Sequence, residues 1–199
     1  MNFIKNYLKE TQIIIKKIDK KKILKIINVI LKLRKSKGRI FFLGVGGSAG
    51  NASHAVNDFR KIGKFECYAP TDNVSELTAT TNDEGWNKVF SNWLVTSNLS
   101  SKDILMIFSV GGGNDEKEIS VNLIEAIKLA KKTKTKILGI VGKKNGYTAK
   151  MADECLIIPE VNSKHITPHS EAFQSVIWHL IISHPKMKVE QTKWESVSV

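Results

Sequence analysis

Residues 39–50 read RIFFLGVGGSAG. The first half, Arg39–Gly44, is a short run of branched and aromatic side chains, the composition of a strand buried on both faces. The second half, Gly44-Val45-Gly46-Gly47-Ser48-Ala49, carries too many glycines to extend that strand and leads into residues with helical spacing. A buried strand that turns through glycines into a helix is the opening unit of a parallel α/β sheet. The same alternation recurs downstream. Apolar runs at Glu66–Ala69, Ile104–Phe108, Lys136–Val141 and Glu154–Ile158 are interleaved with helical stretches at about 48–62, 74–81, 85–97, 115–133, 147–152 and 168–183. The pattern predicts an α/β three-layer sandwich around a five-stranded parallel sheet.

Upstream of this unit, residues 3–18 and 20–36 place Ile, Leu and Val every three to four positions. That spacing predicts two amphipathic helices, broken near Asp19 and closed by Gly38. No repeat or Pro/Gly/Ser-rich linker interrupts the 199 residues. The chain therefore reads as a single domain: a helical hairpin over 1–37, an α/β core over 38–184 and a tail over 185–199.

A composition of 42% hydrophobic and 25% charged residues excludes disordered, collagen-like and coiled-coil classes. The formal net charge is +12, and it is unevenly placed: residues 1–39 hold thirteen of the 31 Lys and Arg but two of the 19 acids. These lysines alternate with Ile and Leu at helical spacing, with no interleaved aromatic platform, so we read a solvated helix face and expect neither a nucleic-acid nor a membrane partner. Cys67 and Cys155 are isolated, and no signal-peptide pattern is seen, which suggests a reducing cytoplasm.

Two strand ends are rich in glycine, the first at Gly44–Ala49 and the second at Phe108-Ser109-Val110-Gly111-Gly112-Gly113-Asn114. Both are read as leading into helices, whose free N–H groups favour an anion such as a phosphate. The first also fits G-x-G-x-x-A, the dinucleotide fingerprint, but Glu66, the acid that would hold the ribose, opens its strand instead of ending it. We therefore expect no nucleotide cofactor. His54 and Asp58 lie four residues apart on one helix face. They suit a shared metal ion, an acid–base pair on one substrate, or a plain surface pair. The last helix sets Glu171, Gln174 and His179 among apolar residues, where polar groups need partners. His165 and His169 stand at its start, open to surface, capping or substrate roles. His184, before Pro185, reads as a helix-end residue.

Taken in order, Gly44-x-Gly46-Gly47-Ser48, His54 and Asp58, Thr81-Asn82-Asp83-x-Gly85-Trp86-x-x-Val89-Phe90, the Ser109 loop and the helix bearing His179 resemble the sugar isomerase (SIS) domain, and within it the phosphoheptose isomerases. The similarity runs from about Lys37 to His184. It implies a flavodoxin-like sheet and an aldose–ketose isomerase acting on sedoheptulose 7-phosphate, for lipopolysaccharide or capsule heptose. It implies Asp58 as base and His179 as its partner, with Gly46, Gly47, Ser48, Asn82, Asp83, Ser109, Gly111, Asn114 and Glu171 binding the substrate. It further implies a homotetramer with active sites between subunits and, as in some members, zinc held by His54, Asp58, Glu171 and His179. Here Asp58 stands where the family usually has Glu, Glu171 where it usually has Gln, and the Ser-rich S-T-S-G-N-S phosphate loop is reduced to SVGGGN over 109–114. Two other readings share these residues: a non-catalytic SIS module that senses a sugar phosphate, and a dinucleotide-dependent enzyme.

Overall fold

The computed structural model describes residues 2–197. Five parallel strands, β1 (Ile40–Leu43), β2 (Cys67–Tyr68), β3 (Ile104–Ser109), β4 (Lys136–Val141) and β5 (Glu154–Ile157), form one sheet in the order β2-β1-β3-β4-β5. This is the flavodoxin-like order, in which the chain switches direction across the sheet between β1 and β3. The two glycine loops hang from the carboxyl ends of those two strands.

Period-two alternation divides β1, β3 and β4 between two cores. Ile40, Phe42, Ile104, Met106, Phe108, Leu138 and Ile140 point to one face, covered by α2 (Lys20–Ser36), α3 (Gly47–Lys61) and α8 (Ile166–Ser183). Phe41, Leu43, Leu105, Ile107 and Ile137 point to the other, covered by α5 (Val89–Thr96) and α6 (Val121–Lys132). The expected three layers are present. On the first face α2 buries Ile23, Ile26, Ile27, Ile30 and Leu33, each worth about 1.5–3 kcal/mol as an upper estimate. Helix α1 (Asn2–Lys17) precedes it, and Asp19 caps α2 by accepting the Lys22 N–H at 3.0 Å.

At the amino ends of β1 and β3, the Asp103 carboxylate accepts from the Arg39 guanidinium at 2.9 Å, from the Arg39 amide and from Ser100. Burial pushes this carboxyl up, yet the donors outweigh it and hold it below the usual aspartate range.

Several expectations need correction. The helix expected from 115 starts at Val121. Residues 115–118 form a turn closed by a bridge between Asn114 and Ile119, and left-handed backbone at Glu118 and Ser120 stops any helix there. Helix α2 is closed by Lys37, at φ 53°, and not by Gly38, whose missing Cβ instead makes room for the Lys102 carbonyl. The stretch 85–97 is a 3-10 turn at Trp86–Lys88 followed by α5, while α4 (Val74–Glu84) runs longer than expected. The tail is pinned: Met187 is fully buried and the Arg34 guanidinium donates to the carbonyls of Gly63, Lys186 and Met187. It then forms a short helix, α9 (Lys193–Ser196). His184 does cap α8, as expected.

Candidate functional site

The first glycine loop is built as a tight strand-to-helix turn. Gly46 adopts φ 62°, ψ −128°, a conformation that L side chains rarely take, and a Cβ on Gly44 would fall 2.3 Å from the Ser48 carbonyl oxygen. These two constraints let α3 begin at Gly47, directly at the end of β1, with its opening N–H groups and positive dipole end over the sheet edge. Ser48 is buried, and its Oγ has no hydrogen-bond partner in the fold.

Helix α3 packs along α8. The Asn51 amide ties them by donating to the Glu171 carbonyl at 2.9 Å and to Gln174 Oε1 at 3.1 Å. Along this seam two further buried donors, Gln174 Nε2 and Trp178 Nε1, have no protein partner among the described residues. Orphaned buried donors carry a desolvation cost of about 1–3 kcal/mol each, the mark of groups waiting on a ligand or water.

Further along α3, the helix places His54 and Asp58 on the face that meets α8, and α8 brings His179 to them. His54 Nε2 and His179 Nε2 lie 3.9 and 3.8 Å from the same oxygen, Asp58 Oδ2, and the two imidazole rings sit edge to face at 5.2 Å. The carboxylate is oriented, because Asn57 donates to its other oxygen at 2.8 Å. His179 is oriented too. Its Nδ1 is 2.8 Å from the Ser175 carbonyl, which can only accept, so Nδ1 carries a proton and Nε2 is the ring nitrogen turned toward Asp58. His54 leans on the edge of Trp178. Three donor atoms of His54, Asp58 and His179 thus converge within 4.8 Å of one another. The set can hold a divalent ion or pass a proton between carboxylate and imidazole.

The remaining expected residues are placed as follows. Glu171 stands apart from the three donors: its carboxylate lies over Gly47, where a Cβ would come within 2.5 Å of it, at the positive end of α3. The second loop does not open a helix. Ser109 Oγ accepts from the Gly112 N–H at 2.9 Å, the Gly112 carbonyl accepts from both the amide and the hydroxyl of Thr148, and the Gly113 carbonyl accepts from the Tyr147 N–H. The loop is thereby laced to α7 (Tyr147–Met151). Gly111 is half-buried, and Asn114 is spent on its own turn, accepting from the Lys117 N–H. Asn82 and Asp83 are exposed on the last turn of α4, bonded to each other. Glu66 precedes β2, away from the strand end where a dinucleotide ribose would need an acid. Burial pushes both cysteine thiols up, Cys155 to about 12, which disfavours the thiolate at both positions.

Sequence reasoning missed Asn51, Asn57 and Ser175. Asn57 and Ser175 could have been found by asking which neighbours, one residue or one helical turn away, orient Asp58 and His179.

Together these features define a parallel α/β protein with a switch-point glycine turn and a carboxylate–imidazole cluster between α3 and α8. The chain belongs to the SIS domain family, which residues 5–142 match. It is 31% identical over 173 residues to phosphoheptose isomerase 1 of Campylobacter jejuni, spanning 83% of this chain and 89% of that protein. It is 27% identical over 158 residues to the phosphoheptose isomerase of Rhodospirillum rubrum, spanning 77% and 78%. Among solved structures, phosphoheptose isomerase GmhA from Neisseria gonorrhoeae superposes with a TM-score of 0.76 at 24% identity, over 90% of this chain and 93% of that one, which speaks for the fold. No helix among the described residues is long and apolar enough to cross a membrane.

Proposed function

We propose that this chain is a phosphosugar aldose–ketose isomerase, acting on sedoheptulose 7-phosphate to give D-glycero-D-manno-heptose 7-phosphate for surface-polysaccharide heptose. The observation that carries this reading is the oriented pair: Asp58 Oδ2 lies 3.8 Å from His179 Nε2, while His179 Nδ1 donates its proton to the Ser175 carbonyl. Aldose–ketose interconversion needs a base that takes a proton from the carbon next to the carbonyl and returns it to the neighbouring carbon, through an enediol. Asp58 fills that role. His179 Nε2 takes the hydroxyl proton from one sugar oxygen and delivers it to the other, so the atoms balance with no net change. The Ser48 hydroxyl receives the hydroxylated part of the substrate, and the Glu171 carboxylate, over Gly47 at the α3 terminus, accepts from sugar hydroxyls.

The donor set of His54, Asp58 and His179 fits zinc. Bound there, the ion would occupy His179 Nε2 and, in place of that proton relay, polarise a sugar oxygen as a Lewis acid. We assign Glu171 to the substrate, since it stands apart from these donors.

We further read the chain as one SIS domain that works in the cytoplasm as a homotetramer with sites between subunits. The apolar residues that α1 leaves exposed, Phe3, Ile4, Leu8 and Ile15, support association.

A coupled assay with sedoheptulose 7-phosphate on the purified protein is the decisive test. Turnover that is lost in Asp58→Asn and His179→Asn is expected, and no turnover in the parent overturns the reading. Chelation should abolish activity and zinc should restore it; activity untouched by chelator removes the ion while leaving the isomerase. A monomer by light scattering at micromolar concentration would contradict the tetramer.

A further inference from the structure

Glu10, on α1, is one of only two acids among the first 39 residues, and its carboxylate turns away from the surrounding lysines into the fold. Its Oε2 lies 2.8 Å from His165 Nδ1 and 2.8 Å from His169 Nε2, and its Oε1 accepts from the Asn162 amide at 2.7 Å. The Asn162 amide is itself held in place, because its oxygen accepts the Lys164 N–H in the 3-10 turn that leads into α8. His165 and His169 are four residues apart and therefore share one face at the start of that helix. Tyr7 stacks on His169 at 4.4 Å and Phe3 meets His165 edge-on at 5.6 Å, walling the cluster from the α1 side.

We propose that Glu10, His165 and His169 form a second divalent-cation site, separate from the cluster around Asp58, which fastens the N-terminal hairpin to the start of α8.

Two imidazoles and one carboxylate are a donor set that zinc and its neighbours in the transition series accept, and all three ligand atoms converge within 4.8 Å. The arrangement has the features of a supported site. The second carboxylate oxygen is anchored by an outer amide, which fixes the direction of the first. The ligands are shielded but reachable: the side chains of Glu10, His165 and His169 are 15, 23 and 5% exposed. A small cavity of about 10 Å³, the room of one water molecule, is lined by both histidines and by Asn162. The competing arrangement is a clamp without metal, in which each imidazole donates one N–H to the shared oxygen.

The two are separated by titrating chelator-treated protein with Co²⁺, read by its visible absorption, and with Zn²⁺, read by thermal stability. In a His54→Asn/His179→Asn background, which disables the other cluster, one Co²⁺ per chain is expected, and Glu10→Gln should abolish it. Asn162→Ala, which leaves all three ligands, should weaken binding by about 10–100-fold. In the parent chain the Co²⁺ stoichiometry should fall by one on Glu10→Gln, so the answer does not hang on folding of the double variant. Zn²⁺ should raise the melting temperature of the double variant and leave that of the same variant carrying Glu10→Gln unmoved. A Co²⁺ stoichiometry that Glu10→Gln leaves unchanged in the parent chain overturns the proposal and establishes the metal-free clamp. Neither result bears on the isomerase reading, which turns on Asp58 and His179.

Discussion

The two glycine loops occupy equivalent places, at the carboxyl ends of neighbouring strands β1 and β3, and in sequence they look alike. In the fold they do opposite work. The first, Gly44–Ala49, spends its glycines on one strained turn and opens at once into α3, leaving helix N–H groups and a buried, unpaired Ser48 hydroxyl facing the site. The second, Ser109–Asn114, turns the Gly112 and Gly113 carbonyls toward α7 and its serine inward onto the Gly112 N–H, so these groups are already paired within the protein. Glycine content marks where a backbone bends sharply. Whether the bend receives a ligand depends on which groups the rest of the chain has left unpaired.

That contrast can be broken by mutation. If the first loop serves the Asp58–His179 pair, Asp58→Asn should lower kcat/KM by about 10²–10⁴ with little change in melting temperature, the range for losing a general base. The second loop should fail the other way. A Cβ at Gly146 would sit 1.9 Å from the Gly111 carbonyl oxygen, so Gly146→Ala must shift backbone and should cost about 1–3 kcal/mol of stability, seen in urea unfolding, while the chemistry per folded molecule survives. Ser109→Ala leaves the Gly112 N–H without its acceptor. We expect a loss of about 1–2 kcal/mol in the same measurement, with KM changed by less than about threefold. Ser48→Ala reverses this pattern: removing an already unpaired hydroxyl leaves unfolding unchanged and raises KM for the sugar phosphate by about tenfold, roughly 1.4 kcal/mol. If Ser48 and Ser109 respond alike, the distinction between the loops is wrong.

Acid provides the control that should not discriminate between them, because both loops hang from strands whose amino ends Asp103 clamps. Its folded carboxyl lies below the unfolded value of about 3.9, so its stabilising contribution is complete above that pH and is lost as pH falls below it. The small acid destabilisation should disappear in Asp103→Asn and should be the same in Ser48→Ala and Ser109→Ala.

Much of this was legible in the sequence. β1, β3 and β4 are unbroken runs of buried apolar residues and were readable as such, and His54 and Asp58 announced themselves by their four-residue spacing. His179 stood out as a polar group in an apolar helix. The turn at 115–118 was not legible: Asp115, Glu116 and Glu118 look like the acidic first turn of a helix, and only the left-handed backbone at Glu118 and Ser120 ends that reading. Glu171 shared a helix with His179 but could not be assigned to the cluster or to α3 without the packing angle between α3 and α8. Glu10 carried no local signal, since its partners lie more than 150 residues away.

The proton on His179 is held by the main-chain carbonyl of Ser175, and every amino acid carries that same oxygen. Substitution at position 175 therefore cannot delete the partner that sets the tautomer; it can only displace it by bending α8. Scanning mutagenesis along the helix would leave this contributor invisible, and natural drift at position 175 is free to exchange side chains so long as the helical turn persists. The tautomer of the imidazole is inherited from secondary structure, so an α8 that unwinds by one turn would change which ring nitrogen carries the proton without changing any side chain.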